Sequence, residues 1–144
     1  MKLDHAAIAR RVPHAGAMCL LDTVVDWNGH SIECEAVEPG PAHPLAREGR
    51  LPAIAAAEYA AQATAVHGAL LDGIDGARPG MLAKLSGIEL GADPVPPGGG
   101  RLAIRCELLG RTDGGSQYEF IVSNRGGLLA SGRLIVATRN GPAA

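Results

Sequence analysis

Aromatic side chains are nearly missing from this chain of 144 residues: Trp27, Tyr59, Tyr118 and Phe120 are all it has, 3% of the total. Proteins that grip single-stranded nucleic acid stack bases on aromatic rings, so that class of function is excluded. Charge is also sparse. Lys and Arg number 13 against 15 Asp and Glu, and a formal net charge of −2 gives no global attraction for nucleic acid or an anionic membrane. There are only three cysteines, Cys19, Cys34 and Cys106, odd in number and far apart. With no C-x-x-C pair and no two histidines at the i, i+4 spacing, neither a metal site nor a disulfide framework is expected. Reduced thiols in turn suggest a cytoplasmic home. The opening MKLDHAAIARRVPHAG puts an acid and a histidine where a secretory signal needs an unbroken apolar run, so secretion is not expected either.

What is plentiful is small and aliphatic. Hydrophobic residues make up 47%, charged residues only 19%, and 20 glycines and 10 prolines punctuate the chain, a composition that excludes disorder. The length suits one domain over residues 1–144, burying roughly 70% of the unfolded surface. No internal repeat divides it.

The pattern predicts a short helix over residues 4–11, stopped by Pro13, and then strands. Cys19–Asp26 is rich in β-formers, Asn28-Gly29 signals a two-residue hairpin, and Ser31–Glu38 alternates, with Ile32, Cys34 and Ala36 on one face. A Pro/Gly-rich loop over 38–50 follows, long enough to suggest function. Residues 51–71, LPAIAAAEYAAQATAVHGALL, form the longest apolar segment, with Pro52 suited to a first helical turn and Gly68 and Gly73 marking its end. Glu58, Gln62, Thr64 and His67 interrupt it, and alanine is weakly hydrophobic, so it does not read as a membrane span. A helix apolar on nearly every side belongs inside the protein. Strands are then expected at 86–90, 101–109, 117–123 and 128–138, separated by glycine-rich turns. The sum is an α+β domain in which a curved antiparallel sheet wraps one long central helix.

No G-x-S-x-G elbow and no phosphate-binding loop is present, and Pro97–Gly100 reads as a turn. Glu58 stands out instead. A carboxylate amid Ile54, Ala55, Ala57, Ala61 and Ala65 is costly unless paired or protonated, and Gln62, at i+4, is the only polar residue on its face. Desolvation there favours the protonated form that a general acid requires. For a partner, His5 and His30 read as solvated, and His67 lies about half a turn around the helix from Glu58. His43, in the loop before the helix, and His14, before the first strand, remain.

Two segments carry a resemblance. VPHAGAMCLLDTVVDW (12–27) is similar to the strand-opening motif of the hot-dog-fold 3-hydroxyacyl-acyl carrier protein dehydratases. H-P-L…L-P…E-Y-A-A-Q (43–62) is similar to their catalytic loop and helix. The most similar sub-group is that associated with aryl polyene or related polyketide-like clusters. The resemblance implies a hot-dog fold, Glu58 as the helix acid and His43 as the base that removes the C2 proton, with His14 as the alternative base. It further implies substrate contacts at Gln62, Ala53 and Ile54, where Ala53 replaces a glycine whose amide polarises the thioester carbonyl. His43 lacks the family's preceding glycine and following Phe-Pro. No metal or redox cofactor is implied. The expected partner is an acyl carrier protein bearing the acyl chain on phosphopantetheine, with Arg47 and Arg50 flanking the loop to dock it, and the resemblance implies a homodimer. Two other readings stay open: a hot-dog acyl thioesterase, and a non-catalytic hot-dog subunit that pairs with an active dehydratase.

Overall fold

The computed structural model describes residues 2–12, 18–73, 80–112 and 114–138. A short helix, α1 (His5–Ala9), is capped by the Asp4 side chain accepting from the Ala7 N–H. Strands β1 (Thr23–Trp27) and β2 (Ser31–Ala36) precede a single turn of 3-10 helix (Ala53–Ala55), which runs into α2 (Ala56–Leu71). The chain then forms β3 (Gly80–Leu90), β4 (Leu102–Thr112), β5 (Gly115–Asn124) and β6 (Gly127–Thr138). The six strands make one antiparallel sheet in the order β1-β2-β4-β5-β6-β3, and α2 packs on β2, β4, β5 and β6. This is the α+β architecture expected, a hot-dog fold.

Alternation along the strands supplies the core. Ile32, Cys34 and Ala36 of β2, Leu102, Ile104 and Cys106 of β4, and Tyr118, Phe120 and Val122 of β5 are all buried against the helix. Their neighbours Glu33, Arg105 and Glu119 face outward, where Glu33 pairs with Arg105 and Glu119 with Arg133. The helix contributes mostly alanine to this core. Ala56, Ala57, Ala60, Ala63 and Ala69 are buried with Tyr59 and Val66, so helix and sheet approach with little side-chain bulk between them.

Three local expectations need correction. Residues 19–22 are not strand: Cys19, Leu20 and Leu21 are buried, but the Met18 carbonyl and the Leu20 N–H bond to the Gln62 side chain, and only at Asp22, whose N–H donates to the Glu35 carbonyl, does pairing with β2 begin. The first hairpin turns one residue later than Asn28-Gly29. Asn28 opens it, donating its N–H to the Ser31 carbonyl while its Oδ1 accepts from His30 and Ser31, so Gly29 and His30 occupy the centre. β3 is also longer than expected, beginning at Gly80 because β6 pairs with it from Ala130 to Thr138, with the register shifting between Leu82 and Lys84 and between Ser86 and Glu89. The end of α2 follows the sequence: Gly73, with φ of 66°, takes the left-handed conformation that closes a helix. Among the described residues no helix is long and apolar enough to cross a membrane, and all three cysteines are buried free thiols.

Candidate active site

α2 is not covered all round. Ile54, 47% exposed, begins a stripe that continues through Glu58, Ala61, Ala65 and Gly68, each only half-buried, while the other faces of the helix are covered by the sheet, by residues 18–20 and by the loop that carries His43. Glu58 therefore sits in the first turn of α2 on its one open face, not in the deep burial expected of it. Among the described residues it takes no hydrogen bond or ion pair. Gln62 does not share this face. It is 1% exposed, its Oε1 accepting from the Leu20 N–H at 2.9 Å and its Nε2 donating to the Met18 carbonyl at 2.6 Å. The 40° offset of an i+4 pair is enough to turn one side chain out and the other in.

His43 lies over the next face of the helix, on Tyr59. The rings stack with centroids 5.8 Å apart, and His43 Nε2 is 2.8 Å from the Tyr59 hydroxyl. On the other side, His43 Nδ1 accepts the Leu45 backbone N–H at 3.0 Å. An amide can only donate, so Nδ1 must carry the lone pair and, in the neutral ring, Nε2 the proton, which it donates to Tyr59. Burial pushes the His43 pKa below the usual histidine value, and protonation would set Nδ1–H against the Leu45 N–H. Burial and the negative charge of Asp22 push the Tyr59 hydroxyl up to about 12, so it stays protonated at neutral pH. His14, the alternative base, lies outside the described residues.

The start of the helix presents backbone donors with no local side chain to cap them. Pro52 has no N–H, and neither it nor Ala55 makes a side-chain cap. The Ala53 N–H, which the resemblance assigns to the thioester carbonyl, instead donates to Asp93 Oδ1 at 3.0 Å. Asp93 lies in the β3–β4 loop, which is tied to the same place by the Val95 N–H donating to the Leu51 carbonyl at 2.8 Å. Between this loop and residues 38–51 runs a groove of about 490 Å³ walled by Pro39, Pro41, Pro94 and Pro97, with Glu38 and Arg50 at its edges. Arg47 and Arg50 face each other across a tight turn, joined by backbone hydrogen bonds of 2.7 and 3.0 Å, and both side chains are exposed. Glu48 and Gly49, with φ of 54° and 76°, supply the two left-handed residues that such a turn requires.

The structure thus brings Glu58, Ile54 and Ala53 together at the start of α2, and holds His43 on Tyr59 beside them. Sequence reasoning missed two participants. Tyr59 had a usable signal, a lone aromatic in an alanine-rich helix one residue past Glu58. Asp93 had none, since it meets Ala53 across 40 residues of chain.

Comparison with known proteins bears on the fold and the family. The structure is similar to the dehydratase heterocomplex ApeI:P from Xenorhabdus doucetiae, at 24% identity over 93% of this chain and 91% of that one, with a TM-score of 0.79. It is also similar to AziG of S. sahachiroi, at 14% identity over 84% of this chain and 92% of that one, TM-score 0.61. A mutant thioesterase from Staphylococcus aureus subsp. aureus Mu50 matches at 15% identity over 81% and 92%, TM-score 0.61. No curated protein matches the chain. The structural likenesses carry the hot-dog fold. The ApeP dehydratase family model matches residues 6–143, nearly the whole sequence, and the chain therefore belongs to the ApeP dehydratase family.

Proposed function

We propose that this protein removes water from a 3-hydroxyacyl thioester carried on acyl carrier protein, leaving the trans-2-enoyl thioester, as a step in fatty-acid-like or aryl polyene synthesis. The observation that carries the reading is Glu58: a carboxyl group on the open, apolar face of its helix, a turn from the backbone N–H groups that begin it. In the elimination a base takes the C2 proton, the C2–C3 double bond forms, and the C3–O bond breaks as Glu58 donates the proton that completes the departing water. Charge builds on the thioester oxygen as the C2 proton leaves, and backbone N–H groups at the start of the helix, Ala53 and Ile54, stabilise it. Ile54 also gives the acyl chain an apolar contact, while Gln62 serves the site by fixing the segment at residues 18–20. His43 is the base once Nδ1 exchanges the Leu45 N–H for the substrate, and His14 is its alternative.

The stripe from Ile54 to Gly68 is the surface on which a second copy completes the site, making a homodimer. Arg50 at the groove, and Arg47 across the tight turn from it, meet the acidic surface of the carrier. Such charges mainly speed encounter and set orientation.

A second reading has two observations behind it. Both His43 ring nitrogens are already bonded, and the similar ApeI:P structure is a two-protein complex. The chain would then be a non-catalytic partner of an active hot-dog dehydratase. Mass spectrometry of 3-hydroxyacyl carrier protein incubated with the purified chain separates the readings. Loss of one water from the carrier-bound acyl group is expected. Release of free carrier thiol would mean a thioesterase, and no change alone but loss of water with a co-purified second hot-dog chain would mean the subunit. The charge reversals Arg47→Glu and Arg50→Glu, combined, should slow turnover of carrier-bound substrate and flatten its salt dependence. An unchanged rate would end the docking role.

A further inference from the structure

We propose that Asp93 is a tethered competitor for the amide that binds the substrate carbonyl, and that its charge makes the site select neutral thioesters over free carboxylates. The inference rests on the dehydratase reading above. Ala53 is fully buried with Asp93 in place, so its N–H reaches no water while that contact stands, and an unpaired buried donor is costly. Nothing local can pair with it, because Pro52 and Ala55 make no side-chain cap. Asp93 Oδ1 fills the gap at 3.0 Å from 40 residues away.

The two partners of this contact differ in what they lose by parting. Asp93 is exposed, and its carboxylate is solvated by water as soon as it leaves. The Ala53 amide, buried at the helix start, needs an acceptor brought to it in the place Asp93 vacates. A thioester oxygen arriving at the helix start is such an acceptor, so the exchange is feasible but opposed. Displaced, Asp93 does not go far: the Val95 N–H holds its loop to the Leu51 carbonyl at 2.8 Å, next to the vacated position. A carboxylate kept there disfavours a second carboxylate, such as a free 3-hydroxy acid, far more than it disfavours a neutral thioester.

The test uses the full-length chain with two probes, the pantetheine amide of 3-hydroxyoctanoate and 3-hydroxyoctanoate itself. Dissociation constants are measured by calorimetry for wild type, Asp93→Asn and Asp93→Ala, and the Ala53 amide proton is followed by NMR. Removing a charged acceptor should tighten the amide probe by about tenfold in Asp93→Ala, with Asp93→Asn shifted the same way. The free acid should gain more than the amide in both variants. The Ala53 resonance should move upfield in ligand-free Asp93→Ala and return when the probe binds. Asp93→Asn keeps the shape of the side chain, so it guards against loss of fold in the alanine variant. Unchanged or weaker binding of the amide probe in a folded Asp93→Asn, with wild type binding it, would overturn the proposal and leave Asp93 a clip for its loop. No binding of either probe by any of the three proteins would overturn the dehydratase reading and this inference with it.

Discussion

The base needed for elimination is a question of individual nitrogen atoms. His43 Nε2 carries a proton committed to Tyr59, and Nδ1 accepts from Leu45, so the ring works as a base only through Nδ1 and only after that contact opens. Because burial lowers the His43 pKa, its neutral form persists below the ordinary value of 6.5. If His43 is the base, the acid limb of kcat/KM therefore falls below pH 6.5, and a limb at or above pH 7 points to a different group. Glu58→Gln keeps the shape and the capacity to hydrogen-bond but cannot donate the departing proton. It should lose ~10²–10⁴-fold in dehydration while folding normally. His43→Ala and His14→Ala then separate the two histidines: the base costs a comparable factor, the other much less. Combined with Glu58→Gln, loss of the true base should be far from additive, since both groups serve one step. Glu58 stood out in the sequence as a carboxylate in an apolar run, whereas His43 and His14, both in loops, were candidates only by elimination and by the resemblance. The Tyr59 contact was not legible, because it depends on where the 38–50 loop crosses the helix.

At the scale of elements, α2 is held by two polar anchors that close on opposite sides of it. Gln62 grips the segment before β1 through Leu20 and Met18. His67, 0% exposed, donates Nε2–H to the Asn28 carbonyl at 2.7 Å, so its Nδ1 accepts from the Tyr118 hydroxyl, also at 2.7 Å. That histidine ties the helix to β5 and to the first hairpin turn, which explains why a helix of small side chains stays in register with its sheet. Burial pushes the His67 pKa below 6.5, with the Asn28 carbonyl opposing the shift and Arg111 and His30 adding to it. A folded pKa below the unfolded one means that the unfolded chain binds the extra proton, so this stability is complete above pH 6.5 and is lost as the pH falls through the folded value. His43 acts with the same sign. Urea unfolding should give a lower free energy at pH 5.5 than at pH 7.5, and His67→Leu should reduce that difference. His67→Leu should also cost about 1–3 kcal/mol at pH 7.5, because the Tyr118 hydroxyl is left buried and unpaired, while the carbonyl of exposed Asn28 can turn to water. A pH-independent stability in the wild type would show that His67 takes up a proton without opening the cluster.

For the whole molecule, the open stripe of α2 is the feature that one chain does not resolve. Ile54, Ala61, Ala65 and Gly68 offer apolar surface around Glu58, and the sheet edge formed by β3 is a further surface open to pairing, whereas Leu3 bridges Val24 on the β1 edge. A second copy that covers this stripe would bury the apolar surface and desolvate Glu58 at once, the environment that the acid role proposed for it demands. Sedimentation at low micromolar concentration should therefore show a dimer with no detectable monomer. Ile54→Glu, which puts a charge into the stripe, should shift that equilibrium to monomer and take turnover with it. A stable, active monomer would count against both the dimer and the shared site.

The fold was written in local periodicity. Alternation in β2, β4 and β5 and the run of alanines in α2 are properties of neighbouring residues, and burial of the apolar face leaves the chain few other ways to satisfy them. For the same reason Glu58 was visible, as a local misfit in an apolar run. The tertiary structure alone decided how each polar group is satisfied. Gln62 reaches Leu20 across 42 residues, His67 reaches Tyr118 across 51, and Asp93 reaches Ala53 across 40. A hydrogen bond has a range of about 3 Å and a direction, so its partner follows from the path of the whole backbone and not from spacing along the chain.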